Sequence, residues 1–355
     1  MFEQALDTTL LTYERARSLG FTLEFFALNA LYGLLPGGED SRLPIDSDAV
    51  PLIQRELLDC LRKDARNIRM GIYPIAVLLP EAPIQHLVRI PKLIWDGIGL
   101  YRRRVLGRTT EFGRGARQLL DELPRYYRRN FHFQTEGYLS ERSAELYEHQ
   151  VEMLFGGAAD AMRRLVIPEL RRKFGSSDGK GLRFLEIGAG TGRSTRFVHL
   201  AFPKAKIIAT DLSDPYLKAA QKKLARFPRI DFVQAGGEEL PFQSGYFDAA
   251  FSVFLFHELP MSARQAVLAE SRRVLKKDGI LALVDSAQKG DLAGFDPVLE
   301  NFPKQYHEPY YRDYIENPIE EILTETGFQG IESGRSFFSK VCSAVPDPAF
   351  GQRKQ

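Results

Sequence analysis

Three glycines and two acids are the residues of this chain whose types and spacing could do chemistry together. In Leu182 to Thr195, LRFLEIGAGTGRST, a short apolar run leads into Gly188, Gly190 and Gly192 and then into residues able to begin a helix. Glycines suit such a turn because the backbone must bend sharply and let a ligand approach the electropositive helix end with no Cβ in the way. The spacing is G-x-G-x-G, not the dinucleotide fingerprint G-x-G-x-x-G, and Glu186 stands two residues before the first glycine. An acid there repels a pyrophosphate but can hold a cationic amino acid moiety, directly or through water. A second apolar segment, KIIATDLSDPYLKAAQKKLARF, carries Asp211, 25 residues after Glu186. At the tip of a second strand this acid can accept hydrogen bonds from ribose hydroxyls. The alternative is a helix N-cap, a place that Ser213 or Asp214 could fill equally well.

These segments resemble the class I S-adenosylmethionine-dependent methyltransferases, whose first motif has the form E-x-G-x-G-x-G. The resemblance continues in order over about 165 residues, roughly half of the chain. It implies S-adenosyl-L-methionine as cofactor, with Glu186, Gly188, Ala189, Gly190, Thr191 and Gly192 in the glycine loop, Asp211 at the ribose and Leu212 beside the adenine. The third strand, in RIDFVQAGGEELPF, is similar to a family segment that commonly reads G-D-A-x-x-L-P-F. Aligning on L-P-F puts Gly236 where the family has its acid, so adenine recognition is expected from backbone amides near Gly236 and Gly237, or from Glu238. GYFDAAFSVFLFHELP supplies a fourth strand, with Ser252, Val253 and Phe254 at the end that lines the cleft. A helical MSARQAVLAESRRVL, a turn at KKDG and a fifth strand ILALVDS follow. Closing strands are expected near Gly327 to Glu332 and Ser336 to Ala344. The implied fold is α/β, a Rossmann-like, mostly parallel seven-stranded sheet with helices on both faces and one strand inserted antiparallel. Within the family, GAGTG, ELPF and RVLKKDG are most similar to the ubiquinone/menaquinone C-methyltransferase-like small-molecule group.

Methyl transfer from a sulfonium is an in-line displacement whose leaving group is already activated, so the protein mainly aligns the partners and excludes water. Neither a metal nor a covalent nucleophile is expected. A phenol, a carbon acid or an amine would need a base within hydrogen-bond reach. His257, just past the fourth strand, is the candidate, because its ordinary pKa range suits proton transfer near neutrality. It could instead position the loop or the cofactor, with Glu258 orienting it. In NFPKQYHEPYYRDYI, residues Tyr306, His307, Tyr310 and Tyr311 offer aromatic faces with polar tips for a flat or amphipathic acceptor, and could equally be the packing of a lid. Tyr138, with His132 and Tyr147, is expected to cover the cofactor from the other side.

The elements that must position these groups begin with helical patterns at Thr8 to Leu35 and Asp48 to Leu79, the first closed by LLPGGED. Prolines at 74, 80, 83 and 91 argue against long regular structure after that. Helical periodicity returns from Phe131 to Phe174 and ends in GSSDGKG. The expected division is a helical region over 1–130 that caps the cleft or forms a small domain, a helical cap or linker over 131–180, the cofactor-binding domain over 181–345, and a tail over 346–355.

A net charge of +2 over 355 residues gives no global reason for a nucleic-acid partner. Locally, Arg89 to Arg129 holds eleven Lys and Arg against four acids. With Leu93, Ile94, Trp95, Ile98, Leu100 and Tyr101 among the cations, it reads either as a peripheral membrane contact or as a solvated helix face. Two distant cysteines, Cys60 and Cys342, suggest neither a disulfide framework nor a thiolate metal site, and a reducing cytoplasm is the expected setting. The acids Glu3, Asp7 and Glu14 sit where an export signal would be basic. The rivals are a nicotinamide-dependent reductase, against which Glu186 and the glycine spacing count, and a non-catalytic docking module, against which the intact loop counts. The acceptor is expected to be a small molecule; its identity and the oligomeric state are not legible.

Overall fold

A computed structural model describes residues 2–34, 49–79 and 83–351. Seven strands form one sheet: β1 Arg183–Ile187, β2 Lys206–Asp211, β3 Ile230–Gln234, β4 Phe247–Val253, β5 Leu275–Ser286, β6 Phe328–Ser336 and β7 Ser339–Pro346. Their order is β3-β2-β1-β4-β5-β7-β6. The first five are mutually parallel, and β7 lies antiparallel between β5 and β6. This is the topology implied by the family resemblance. The switch point falls between β1 and β4, which leave in opposite directions across the sheet, so the cleft must open at their carboxyl ends.

Strand periodicity sorts the core. Phe184, Ile207, Phe251, Ala282 and Val284 face one side, where Leu61, Met162, Ile167, Leu170 and Phe197 pack on them. Their neighbours Leu185, Ile208, Ala250, Leu281 and Leu283 face the other side, against Val267, Leu268, Ile315 and Leu323. The first face is therefore covered in part by the amino-terminal half of the chain. That half contributes α1 Phe2–Tyr32, α2 Val50–Arg69, α3 Pro83–Val105, α4 Arg114–Leu119, α5 Glu141–Leu154, α6 Ala159–Arg163 and α7 Val166–Phe174. The sheet half adds α8 Arg193–Ala201, α9 Asp214–Leu224, α10 Met261–Val274, α11 Asp296–Gln305, α12 Tyr311–Glu316 and α13 Ile319–Glu325.

Two expectations about elements are corrected. Residues 83–105, set aside because of their prolines, form the 23-residue helix α3 with Pro91 inside it. Pro83 begins the helix, where a missing N–H is harmless, and only one ladder bond is lost at Pro91, on a turn whose Leu87 and Val88 face outward. The KKDG segment is not a turn before the fifth strand but part of β5. There the pairing jumps from Phe247–Leu275 to Ala249–Ile280, so the additional residues are taken up as an irregularity at the sheet's amino-terminal rim. Most of the LLPGGED stop lies outside the described residues.

Candidate active site

The glycine loop folds as its residue types require. Gly188, Gly190 and Gly192 all have positive φ, at 73°, 54° and 79°. A Cβ on Gly192 would stand 2.7 Å from Leu224 Cδ1 and 3.1 Å from Ala220 Cβ, so this glycine serves the packing of α8 on α9. A Cβ on Gly190 would meet only Tyr216, at 3.9 Å, because that glycine borders a cavity. Asp211, at the end of β2, accepts hydrogen bonds from Gly190 N at 2.7 Å and Ser213 N at 2.8 Å. Ser213 itself caps α9 by accepting from Tyr216 N, which leaves the Asp211 carboxylate facing the cavity and not a helix end. Burial raises the Asp211 carboxyl above its ordinary range against the pull of these amides.

This first cavity is walled by Ile187 to Thr191, Asp211, Leu212, Ala235 to Glu238 and Val253 to Leu255 on the sheet side. The amino-terminal half closes it with Tyr126, Tyr127, Phe131, Tyr138, Tyr147 and Glu148. Gly237 needs its missing side chain, since a Cβ there would come within 2.8 Å of Ile187. Tyr126 donates its hydroxyl proton to Glu238, and Thr191 donates to Glu148. Burial would raise the Glu148 carboxyl, but Lys223 and Arg193 hold it down at about 2, so it is an anion beside the loop.

A second, largely apolar cavity adjoins the first. Phe25 and Leu28 of α1, Leu93 and Leu100 of α3, Met153 of α5 and Phe302 of α11 line it. Tyr147 and Phe254 border both cavities. Phe254 has φ 58°, a strained value for a non-glycine residue, at the carboxyl end of β4.

Where the cavities meet, four polar side chains converge, His257, Glu258 and Glu308 buried and His132 half-buried. The Nδ1 of His257 lies 2.6 Å from Asp285 Oδ1 at the end of β5, and the other Asp285 oxygen accepts from the backbone N–H of Leu255 and Phe256. The Nε2 of His257 points toward Glu258, at 3.9 Å, and Glu308, at 3.8 Å. Glu308 also contacts His132 Nε2, and Tyr138 donates to Glu258. Burial alone would lower the pKa of His257, but Asp285 and Glu308 push it up to about 10. Burial and Glu308 push Glu258 up to about 7. Burial likewise disfavours a charged His132, and Glu308 overrides it to raise that pKa.

These positions modify the expectations. Gly188, Ala189, Gly190, Thr191, Asp211, Leu212, Gly236, Gly237, Glu238, Val253, Phe254 and Tyr138 all border the first cavity. Three of the expected cofactor residues do not border it. Glu186 is buried behind the loop and accepts from the Thr195 hydroxyl; burial and Asp211 push its carboxyl up to about 8. Gly192 packs on α9, and Ser252 donates to Ile187 O. His257, Tyr306 and Tyr311 border the apolar cavity, whereas His307 and Tyr310 border neither. Tyr310 instead gives its carbonyl to Arg264. The reading of His257 as a base in its ordinary range is corrected by its acidic surroundings, and it is Asp285, not Glu258, that orients its ring.

Asp285, Glu308 and Glu148 escaped the sequence reading, as did the Tyr126, Tyr127 and Phe131 wall. Asp285 had a usable signal, because LALVDS ends a strand in an acid just as IIATD does.

A family model described as a methyltransferase domain matches residues 184–279. Among curated proteins, the chain is 28% identical over 184 residues to the malonyl-[acyl-carrier protein] O-methyltransferase of Geobacter sulfurreducens, covering 50% of this chain and 68% of that one. It is 30% identical over 148 residues to an uncharacterized methyltransferase of Synechocystis, covering 42% and 67%. It is 30% identical over 152 residues to the ubiquinone/menaquinone biosynthesis C-methyltransferase of Ectopseudomonas mendocina, covering 42% and 56%. Among solved structures, an S-adenosylmethionine-dependent methyltransferase of Aquifex aeolicus superposes with a TM-score of 0.38 at 22% identity, covering 50% of this chain and 88% of that one.

Proposed function

We propose, from the premise that the chain belongs to the class I S-adenosylmethionine-dependent methyltransferase family, that it methylates a small lipophilic acceptor whose body fills the apolar cavity. Membership makes it an enzyme with S-adenosylmethionine as cofactor. The first cavity fits that group. Asp211 offers remaining lone pairs for the ribose diol, Leu212 and the Gly236–Gly237 backbone offer a flat wall for adenine, and Gly190 allows close backbone approach. The anionic Glu148, near Thr191, suits the cationic amino acid end. With Glu186 turned toward Thr195, its carboxyl braces the loop and does not meet the ligand directly.

The cofactor supplies an electrophilic methyl group on a sulfonium that leaves as a neutral thioether. The chain's own residues exclude water and hold the two partners in line. Tyr147 and Phe254, common to both cavities, support transfer at the junction. The acceptor proton passes to the buried carboxylates Glu258 and Glu308, of which Glu258 borders the cofactor side. His257 serves by position more than by basicity, because Asp285 and Glu308 favour its protonated ring. The described part of the helical region before β1 caps the cleft, since it contributes to both walls.

The observation that carries this reading is the adjacency of a nucleoside-type and an apolar cavity. Its test is Leu100→Trp, which fills the second cavity and leaves the first. Incubated with a lipid extract and isotopically methyl-labelled cofactor, this variant should lose methylation by about tenfold or more while keeping affinity for S-adenosylhomocysteine. Undiminished methylation would remove the apolar cavity from the mechanism.

One surface observation favours a peripheral membrane contact as part of this function. Outward-facing Leu87, Val88, Trp95, Ile98 and Val105 form a stripe at helical spacing along α3, with Trp95 70% exposed. Leu19, Leu23 and Phe26 are likewise exposed on α1, which packs against α3 and helps line the apolar cavity. Arg102 is exposed on α3 beside the stripe, as is Lys92, which pairs with Glu145, and an exposed cation there suits an anionic interface. Among the described residues no helix is long and apolar enough to cross a membrane. Flotation with phosphatidylglycerol vesicles should show binding that weakens with salt and with Trp95→Ser. Equal recovery with and without vesicles would refute the contact.

A further inference from the structure

We propose that His132, His257, Glu258 and Glu308 bind a divalent first-row transition cation, with Asp285 as the outer partner that fixes the His257 ring. One donor atom from each of the four lies within 4.8 Å of all the others. They come from three separated places in the chain: the turn at Phe131–Phe133, the turn after β4 and the connection between α11 and α12. Bond lengths of about 2.0–2.2 Å to nitrogen and oxygen put the donors of a tetrahedral ion roughly 3.3–3.6 Å apart. The 3.8 and 3.9 Å separations around His257 and Glu258 need to contract by only a few tenths of an ångström, and the closer His132–Glu308 pair needs to open.

Two further features point to an ion and not to chance proximity, and the charge of the site allows one. His257 Nδ1 is committed to Asp285 at 2.6 Å, which leaves Nε2 aimed into the cluster, the carboxylate–histidine arrangement that orients a metal-bound imidazole. The Glu308 side chain has no solvent exposure, yet its Oε2 has no hydrogen-bond partner among the described residues. Three buried carboxylates, Glu258, Asp285 and Glu308, surround two imidazoles, and a dication with two neutral rings brings the site the same charge as two protonated rings would. Two imidazoles with two carboxylates suit zinc, manganese or iron(II) over magnesium, which prefers oxygen and retained water. At the junction of the cavities, such an ion faces the acceptor's polar head and can lower the pKa of a bound hydroxyl. This role rests on the two-cavity reading, whereas the binding itself does not. It also replaces the sequence-based expectation that no metal is held.

Glu24, His86 and His149 form a second, partly exposed group of three donors, so the test uses a His86→Ala background. The full chain in that background is stripped with a chelator and titrated separately with Zn²⁺, Mn²⁺, Fe²⁺ under anaerobic conditions, and Mg²⁺, without cofactor or acceptor. One equivalent of at least one transition ion should bind, and Mg²⁺ should not compete. Glu308→Gln should abolish stoichiometric binding while S-adenosylhomocysteine still binds, which reports an intact fold. Asp285→Asn, which removes no ligand, should weaken the ion by about 10–100-fold. Glu258→Gln repeats the ligand test if Glu308→Gln does not fold. No stoichiometric ion, or equal affinity in a folded Glu308→Gln or Glu258→Gln protein, overturns the proposal. Because methyl transfer is not measured, failure of the two-cavity reading leaves this result unchanged.

Discussion

Asp211→Asn is the sharpest test of the cofactor geometry, since it keeps volume and removes charge. One carboxylate oxygen accepts Gly190 N–H at 2.7 Å and the other accepts Ser213 N–H at 2.8 Å. An amide has one acceptor oxygen, so its NH₂ must face one of those two donors. Hydrogen bonds to a charged group contribute about 1.5–3 kcal/mol each, and an unsatisfied buried donor costs about as much again in context. Part of that loss falls on the loop before any ligand binds. The part that falls on the ribose contact should be about 2–3 kcal/mol, or roughly 30- to 150-fold in affinity for S-adenosylhomocysteine. Calorimetry on the wild type and the variant, each with the ligand and with its 2′-deoxy analogue, separates the two parts. Removing the ribose hydroxyl should weaken the wild type strongly and the variant little. Equal effects of the deoxy ligand on both proteins would refute the ribose assignment, even if the variant bound weakly.

Two further outcomes concern the amino-terminal half. Burial, then Asp64, pushes the Glu14 carboxyl up to about 7 against the pull of Arg164. The folded chain thus holds a proton there that the unfolded chain releases near 4.5, and stability falls as pH rises between those values, by up to about 3 kcal/mol from this group. Glu14→Gln should remove this loss and so be more stable than the wild type at pH 8 but not at pH 4.5, as read by urea unfolding; a lower stability at pH 8 would contradict the assignment. Arg164→Met should destabilise by about 3–5 kcal/mol, because it strands Asp64, which receives two guanidinium hydrogen bonds at 2.8 and 2.7 Å in the buried core. A change below about 1 kcal/mol in the same assay would show that the pair contributes little.

What the sequence disclosed follows from how local each signal is. The loop at 188–192 and the acid at 211 are strand-end features with fixed chemistry, and both were legible because turn geometry demands particular residue types within a few positions. The Asp285 acid has the same strand-end character. It was missed because its partner, His257, stands 28 residues away with a helix between them. Glu308 and His132 are 176 residues apart and share no periodicity, so only the tertiary fold could pair them. The prolines near α3 misled for a related reason. Proline cost is local, whereas the packing of Leu93 and Tyr101 that holds the helix is not.

The distribution of these residues ties the amino-terminal half to both cavities and not merely to the core. The sheet alone provides Asp211, His257 and Asp285 at strand ends, all facing one cleft, as an open parallel sheet must. It cannot close that cleft. The far wall of the first cavity comes from Tyr126 to Glu148, and most of the apolar cavity from α1, α3 and α5. The same segment provides His132, in a turn whose φ of 53° is strained and is held by Glu308 and by the backbone bond from His132 N to His307 O. Strain of this kind persists only when its surroundings over-determine it, and here the surroundings are the connection that follows β5. Leu61, Met162 and Leu170 also sit in one core cluster with Phe184 and Phe251. Cutting the chain before β1 would therefore uncover one face of the sheet, open both cavities and remove one of the four converging side chains, so the proposed selection of an acceptor rests on the helical half as much as on the sheet.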